Sequence, residues 1–219
     1  VSLFGRCPDL PKIQKIAKKH NLSVIEDAAQ SFGATFKNKK SCNISTISCT
    51  SFFPSKPLGC YGDGGAIFTN NSKLAKIIRQ ISRHGQQRRY HHVRLGLNSR
   101  LDTIQAAILL AKLPHYSKEL EYRNHVAKYY SSSLSANIEK PIIKSNRSCV
   151  WAQYTIRVKN RDSLQSKLKD KGIPTAVYYP IPLHLQECFQ YLNYKSGNLP
   201  ISEKASNEVM SIPINSFLV

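Results

Sequence analysis

The chain has 219 residues and a formal net charge of +19, with a hydrophobic content of 41% and a charged content of 21%. This length supports one large domain, or one and a half, with a real hydrophobic core. The composition is typical of soluble globular proteins, and no apolar run is long enough to span a membrane. No secretory signal opens the chain. We therefore expect a cytoplasmic protein without a membrane partner.

The cysteines indicate neither a disulfide framework nor a metal site. They form no C-x-x-C pair, and no histidine lies at metal-ligand spacing from them. We expect reduced thiols in the core and no bound metal. The six residues are Cys7, Cys42, Cys49, Cys60, Cys149 and Cys188.

The positive charge predicts an anionic partner, which could be nucleic acid, a membrane surface or a phosphorylated metabolite. Nucleic-acid binding usually requires a basic stripe interleaved with aromatic residues, whereas here Lys and Arg are spread along the whole chain. The local exception is the basic segment, residues 83–94, which is equally consistent with an anion-binding site and a solvated loop. It contains Arg83, His84, Arg88, Arg89, His91, His92 and Arg94.

Hydrophobic periodicity predicts alternating helices and strands in chain order, and hence an α/β sheet. The chain opens at Val1, without methionine, on residues that resemble the end of a strand, so we expect further chain upstream. The predicted helices cover 9–21, 71–83, 101–113, 117–134, 161–171 and 201–210. The predicted strands cover 22–26, 44–53, 66–69, 150–158 and 175–179.

The predicted elements divide into a larger first domain, residues 1–115, and a smaller α+β domain, residues 116–219. Residues 135–148 are polar and irregular, as expected for a boundary or an excursion between lobes. We find no internal repeat and no low-complexity segment.

Lys56 is the first candidate for chemistry. It follows a predicted buried strand, stands between Pro54 and Pro57, and has no carboxylate within four residues. Desolvation at such a position lowers the pKa of an ammonium toward the range in which the amine is a nucleophile. A surface lysine beside a turn is the alternative.

Asp27 and Ser51 follow predicted strands at the end where ligands bind in open α/β sheets. A carboxylate there can face a cationic ring nitrogen, and a hydroxyl can contact a phosphate. Taken singly, Asp27 is as well explained by a helix N-cap and Ser51 by a turn. Together with Lys56 they supply the groups that pyridoxal phosphate (PLP) requires.

Four motifs resemble the DegT/DnrJ/EryC1/StrS family of PLP-dependent nucleotide-sugar aminotransferases. The match covers the chain in order. The motifs are Val24-Ile25-Glu26-Asp27-Ala28-Ala29-Gln30-Ser31, Ser51-Phe52-Phe53-Pro54-Ser55-Lys56-Pro57-Leu58-Gly59, Gly62-Asp63-Gly64-Gly65-Ala66, and Asn98-Ser99-Arg100-Leu101-Asp102 with Gln105-Ala106-Ala107.

The resemblance implies a fold type I, aspartate-aminotransferase-like protein. On this basis the chain has part of a large PLP-binding domain with a mixed sheet, followed by a small C-terminal domain. Family members are longer at the amino end, where further cofactor contacts lie. The resemblance also implies a homodimer with shared active sites.

The resemblance also implies roles for single residues. Lys56 is the imine-forming amine, Asp27 the partner of the pyridine nitrogen, and Gln30 a contact on the ring-hydroxyl side. Ser51 contacts the cofactor phosphate, and Asn98 the phosphate of the neighbouring subunit's cofactor. Arg100 and the 178–184 segment lie near the substrate, although a packed strand end explains that segment almost as well. The segment supplies Tyr178, Tyr179 and His184.

The implied reaction is a ping-pong transamination of a UDP-linked 3-keto-N-acetyl-hexuronic acid, with glutamate as amino donor. It belongs to the synthesis of surface polysaccharide, including lipopolysaccharide O-antigen. The alternative is a truncated, inactive remnant that acts as an interaction module. A nucleic-acid-binding protein is supported by charge alone. Sugar dehydratases of this fold carry histidine at the lysine position, which Lys56 excludes.

Overall fold

The computed structural model describes residues 1–218, which form two compact units. The first unit comprises Val1–Glu121 and Ile143–Ala152, and the second comprises Tyr122–Ile142 and residues 153–218. The division therefore differs from a single boundary after residue 115. The segment 143–152 belongs to the first unit because Val150 is buried there in a cluster with Cys7, Ala34 and Phe36.

The described residues form six α-helices and nine short strands, in addition to 3-10 turns. The helices are α1 (Leu10–Lys19), α2 (Ser72–Ile81), α3 (Thr103–Lys112), α4 (Tyr116–Ser133), α5 (Arg161–Asp170) and α6 (Pro200–Glu208). The strands are β1 (Ile25–Asp27), β2 (Thr35–Phe36), β3 (Lys39–Lys40), β4 (Ile47–Ser51), β5 (Gly65–Phe68), β6 (Gln86–Arg88), β7 (His91–His92), β8 (Tyr154–Arg157) and β9 (Val209–Ile212).

A mixed three-stranded sheet in the order β1-β4-β5 organises the first unit. Strand β1 runs parallel to β4, with Asp27 opposite Cys49, and β5 runs antiparallel to β4, with Gly65 opposite Ser51. The parallel pair brings the carboxyl ends of β1 and β4 to the same edge of the sheet. Candidate residues that are far apart in sequence therefore leave the sheet at one place.

Side-chain caps set the start of the helices in this unit. The carboxylate of Asp9 accepts from Lys12 N, the amide oxygen of Asn71 accepts from Leu74 N, and the carboxylate of Asp102 accepts from Ile104 N. Each cap satisfies a backbone N–H that has no partner inside the helix. The predicted start of the second helix at residues 71–72 is confirmed.

The second unit is built on the antiparallel pair of β8 and β9. Tyr154, Ile156 and Met210 are at most 2% exposed and form its centre. The buried Arg161 at the start of α5 donates to the carbonyl oxygens of Ser206 and Val209, which ties α5 to the end of α6. This arrangement agrees with the predicted small α+β lobe.

Two predictions in the second unit are wrong. Residues 175–179 were expected to form a strand, but of these only Ala176 pairs, in an isolated bridge with Ser211. Proline at positions 174 and 180 removes backbone donors on both sides, so pairing does not extend. The last helix ends at Glu208 rather than at residue 210, because Val209 adopts extended backbone angles and begins β9.

The basic segment forms a β-hairpin, β6 paired with β7. Its base is close-packed. Gly85 has φ +75°, and a Cβ on it would lie 1.7 Å from Arg94 O. The ring nitrogen Nδ1 of His92 lies 2.7 Å from His84 O, and Arg94 Nε donates to Gln80 Oε1. The hairpin is thus fixed at its base, while residues 87–104 are exposed along their length.

All six cysteines are free thiols, of which five are buried or half-buried and Cys188 is exposed. The expectation of core thiols is therefore wrong for Cys188, which lies in the largely exposed 3-10 segment Glu187–Leu192. Among residues 1–218, no helix combines the length and apolarity needed to cross a membrane.

Candidate active site

The loop between β4 and β5 fixes the position of Lys56. Lys56 N donates to Phe53 O at 2.9 Å, and Cys60 N donates to Phe52 O at 2.8 Å. A Cβ at Gly59 would lie 2.7 Å from Phe53 O, so this close approach requires glycine. The loop is a tightly bonded structure, and it holds the backbone of Lys56 in one place.

The side chain of Lys56 is half-buried. No carboxylate within residues 1–218 forms an ion pair with it, although the chain contains 13 acidic residues. An amine that is not held in an ion pair is available to react with an electrophile such as an aldehyde.

Lys56 lines an open cavity of about 970 Å³ together with three other predicted site residues, Ser51, Asn98 and Arg100. The walls come from the end of β4, the start of β5, α2 and the segment 98–101. The structure therefore brings together four residues that span positions 51 to 100 of the sequence.

Polar side chains in this cavity retain hydrogen-bond donors that a ligand can use. Ser51 Oγ accepts from Phe53 N at 3.2 Å, which leaves its hydroxyl hydrogen free to donate to an anion. Arg100 Nε donates to Asn98 Oδ1 at 3.1 Å, which orients the Asn98 amide and leaves its NH₂ group available. Ser99 N donates to Ser82 O and anchors this segment to the end of α2.

Asp27 lies at the carboxyl end of β1, beside the cavity but not among the described residues that line it. Its Oδ1 accepts from Ala29 N at 3.0 Å, in a local turn rather than a helix N-cap. Its neighbour on β4, Cys49, does line the cavity. Burial raises the pKa of the Cys49 thiol, and the negative charge of Asp27 raises it further.

Gln30 is buried, and its Oε1 accepts from Phe4 N at 2.7 Å. Within residues 1–218 it is not part of the cavity lining. The side chain is thus fixed by the amino-terminal segment. Its amide NH₂ group is the part that remains for the predicted cofactor contact.

Tyr178, Tyr179 and His184 belong to the second unit. The two tyrosine rings lie 5.6 Å apart, and Tyr179 is 54% exposed. His184 is buried, with Nε2 3.0 Å from Glu203 Oε1. Their role at the substrate stays a prediction.

Glu203 holds a loop as well as His184. Its carboxylate accepts from Gly197 N, Leu199 N and Ser196 Oγ. The hydrogen bond from Gly197, followed by that of His184, lowers the pKa of Glu203. Sequence reasoning selected His184 but not Glu203, because their separation of 19 residues gives no local signal.

Two residues of α3 hold the Lys56 loop and were not assigned a role from sequence. Lys112 Nζ donates to Gly59 O at 2.5 Å and lies 5.8 Å from the ring centre of Tyr61. Gln105 Oε1 accepts from Tyr61 N at 2.8 Å. Gln105 belongs to the fourth family motif, so the sequence marks it as a candidate site residue. The motif does not show which atoms Gln105 contacts.

These groups fit PLP. The cavity offers an amine without an ion pair, a free hydroxyl hydrogen and an amide NH₂ group, and a carboxylate lies on the neighbouring strand. A phosphorylated pyridine aldehyde requires an imine-forming amine, phosphate donors and an acid facing the ring nitrogen. We therefore assign the cavity as a candidate cofactor site.

Comparison with known proteins shows the family to which the chain is similar. The sequence profile of the DegT/DnrJ/EryC1/StrS aminotransferase family matches residues 1–218. The chain is 57% identical over 219 residues to a Pseudomonas aeruginosa protein named UDP-2-acetamido-2-deoxy-3-oxo-D-glucuronate aminotransferase, covering 100% of this chain and 60% of that protein. The chain thus spans about 60% of the length of this relative.

Solved structures show the same fold. A DegT DnrJ EryC1 StrS aminotransferase from Brucella abortus matches with a TM-score of 0.95 and 42% identity, covering all of this chain and 59% of that one. The ntda protein of Bacillus subtilis, solved with bound cofactor PMP, matches with a TM-score of 0.86 and 33% identity, covering 98% and 51%. The predicted fold type I architecture is confirmed.

Replacing Lys112 tests the support of the Lys56 loop. Lys112→Met keeps the aliphatic stem but removes the charged hydrogen bond to Gly59 O, so we expect a loss of about 1.5 kcal/mol in unfolding free energy. Urea denaturation measures this loss. Lys76→Met, on the exposed side of α2, is the control and should change stability by less than about 0.5 kcal/mol. Equal losses of unfolding free energy in the two variants would contradict the role of Lys112 in supporting the Lys56 loop.

The Glu203 hydrogen bonds make the second unit sensitive to acid. Because folding lowers the pKa of Glu203, its contribution is complete above the ordinary value of 4.5 and is lost as the pH falls through the lowered pKa. Glu203→Gln should flatten this part of the stability profile, followed by urea denaturation between neutral and acid pH. The exposed Glu187→Gln is the control. A profile that Glu203→Gln leaves unchanged would argue against this role.

Proposed function

Because the chain belongs to the DegT/DnrJ/EryC1/StrS aminotransferase family, whose members are PLP-dependent transferases, we propose that it carries the reacting centre of a nucleotide-sugar aminotransferase. The observation that carries this proposal is the cavity in which Lys56 meets Ser51, Asn98 and Arg100. It combines an unpaired amine with neutral and cationic donors for anionic groups.

Each residue has a defined task in this proposal. Lys56 Nζ would hold the aldehyde carbon of the cofactor and, as a free amine, would carry the proton from the α-carbon of the amino donor to that same cofactor carbon. Asp27 would face the ring nitrogen, Gln30 would direct its NH₂ group to the ring-hydroxyl side, and Ser51 would donate to the phosphate. When bound, PLP supplies the carbonyl that accepts the amino group and a ring that delocalises electrons.

The proposed substrate is a UDP-linked 3-keto-N-acetyl-hexuronic acid, with glutamate as the amino donor. The name of the Pseudomonas aeruginosa relative, at 57% identity, supports this substrate class. The net charge of +19 favours an anionic ligand, and such a substrate carries a diphosphate and a carboxylate. Arg100 in the cavity is a suitable partner for a carboxylate. The product would serve synthesis of surface polysaccharide such as lipopolysaccharide O-antigen, in the cytoplasm.

The hairpin of the basic segment is proposed to attract the diphosphate of the substrate. Arg88, Arg89 and His91 are exposed on a hairpin whose base is fixed to α2. The chain continues from the hairpin directly to Asn98 and Arg100, which line the cavity. A basic surface beside the cavity raises the local concentration of an anionic substrate.

A second copy of this chain is the proposed partner of the exposed apolar side chains in the segment 90–97 and on α3. Large exposed apolar patches usually mark interfaces. In a homodimer with shared active sites, Asn98 would contact the phosphate of the other subunit's cofactor. The surface includes Tyr90, Leu95, Leu97, Ile104 and Leu110, which are between 65% and 96% exposed.

Replacement of Lys56 tests the proposal. Lys56→Ala should abolish both the visible absorbance that appears when PLP binds to a lysine and the transfer of amino groups, because no other amine takes its place. Titration with PLP followed by absorbance measures the first effect, and circular dichroism checks the fold. Lys73→Ala, on the exposed side of α2, should keep the absorbance. A Lys56→Ala protein that still transaminates would rule out the proposal.

The hairpin has its own test. Arg88→Glu with Arg89→Glu should raise KM for the nucleotide sugar about tenfold at low salt while leaving kcat nearly unchanged, because steering affects encounter and not chemistry. Lys15→Glu with Lys19→Glu on α1 changes the net charge equally and is the control. Sedimentation velocity shows whether the variants keep the oligomeric state. Equal KM values for the two double variants would remove the hairpin from substrate binding.

A further inference from the structure

Two acidic residues stand side by side at the end of β1, and only Asp27 has a task in the proposed reaction. We propose that Glu26 is a positioning residue, whose buried hydrogen bonds hold β1 in the register that leaves Asp27 on the opposite, cofactor-facing side. This inference rests on the proposed function, because that function gives Asp27 its contact with the ring nitrogen.

Glu26 is 2% exposed, and its carboxylate accepts four hydrogen bonds. Oε1 accepts from Ser2 Oγ and Ser41 Oγ, each at 3.0 Å. Oε2 accepts from Cys42 N at 3.2 Å and from Ser48 Oγ at 3.1 Å. The four donors come from the amino-terminal segment, from a turn and from β4, so one carboxylate joins three parts of the first unit to β1.

Burial of this carboxylate without a cation is costly, and within residues 1–218 no lysine, arginine or histidine forms an ion pair with it. Four hydrogen bonds offset the free-energy cost of desolvating the Glu26 carboxylate. If packing were the only requirement, an apolar side chain would fill the same space without that cost. Buried polar groups of this kind are best known for specifying register. The arrangement therefore favours a role in specificity over a role in stability.

Glu26 and Asp27 make the register of β1 ambiguous in the sequence. In the structure Glu26 pairs with the fully buried Ser48, and Asp27 pairs with Cys49, which lines the cavity. A slip of one residue would exchange the two faces and bury Asp27. The four hydrogen-bond donors around Glu26 find their acceptor, the Glu26 carboxylate, in the observed register. These hydrogen bonds therefore favour that register.

The same cluster reaches the other proposed cofactor residue. Ser2, whose hydroxyl bonds to Glu26, also donates its backbone N–H to Asp27 O at 2.8 Å. Two residues later, Phe4 N donates to Gln30 Oε1. The amino-terminal segment is thus held by Glu26 and in turn holds Asp27 and Gln30.

The negative charge of Glu26 affects the ionisation of two neighbouring thiols, Cys7 and Cys42. Burial, and then the negative charge of Glu26, raises the pKa of Cys7 to about 11 and that of Cys42 to about 12. Both thiols are therefore neutral at pH 7.

The test compares Glu26→Gln with Ser45→Ala in the 219-residue chain. Glutamine keeps the shape of Glu26 but places an NH₂ group where donors converge. Ser45 bonds to Ser48 Oγ and Ile47 O and makes no hydrogen bond to Glu26, so Ser45→Ala disturbs the same polar region without touching the carboxylate. Urea denaturation gives the stability of both variants.

The first readout needs no cofactor. Amide hydrogen exchange by NMR is measured at Ala29, whose N–H donates to Asp27 Oδ1, and at Phe4, whose N–H donates to Gln30 Oε1. The second readout is the Kd for PLP. We expect Glu26→Gln to raise the exchange rate at both amides about tenfold and to raise the Kd for PLP about tenfold. A change of this size corresponds to the loss of one hydrogen bond to a charged group. Ser45→Ala should leave both within about twofold.

Unchanged exchange and Kd in Glu26→Gln would overturn the inference, and so would equal effects in Ser45→Ala. If Glu26→Gln does not fold, Ser2→Ala replaces it, since it removes one hydroxyl donor while keeping the backbone bond to Asp27. Smaller changes in the same direction are then expected, and no change overturns the inference. A wild-type chain that does not bind PLP would count against the proposed function, and the exchange at Ala29 and Phe4 would still decide the role of Glu26.

Discussion

The parallel pairing of β1 with β4 is the constraint on which the rest of the site depends. It places Asp27 beside Cys49 and brings the ends of both strands to one edge of the sheet. The chain then leaves β4 through Ser51 into the loop of Lys56. A one-residue change of register in this pair would turn Asp27 to the other face of the sheet, away from Cys49 and the cavity that Cys49 lines.

The loop that carries Lys56 is rigid for reasons that lie partly outside it. The close approach at Gly59 and the bond from Cys60 N to Phe52 O are local, whereas Lys112 and Gln105 of α3 act from about fifty residues away. These contacts fix the backbone of the loop, and in the proposed function this placement would favour the reacting geometry of the Lys56 amine.

Much of this architecture follows from the sequence. The cap at Asn71 and the periodic apolar positions predict the helices of the first unit, and the motif around Lys56 leads to the correct family. The bridge of Ala176 with Ser211 and the return of Val150 to the core of the first unit depend on partners far along the chain, which periodicity does not contain.

Side-chain partners were the least predictable part of the site. Glu26 and Glu203 each accept hydrogen bonds from several donors that are scattered in sequence. Glu26 belongs to the motif of residues 24–31, but neither the motif nor the local sequence around Glu203 shows these partners. Asp27 was selected through its neighbours in a motif. The motif gives the residue, and the structure adds the contacts that hold it.

The most direct test of the account is to locate the covalent bond to the cofactor. The chain is incubated with PLP, reduced with borohydride and digested, and the modified peptide is identified by mass spectrometry. We expect a phosphopyridoxyl group on Lys56 and at no comparable level on the other lysines. Modification spread evenly over exposed lysines, with Lys56 unmodified, would contradict it.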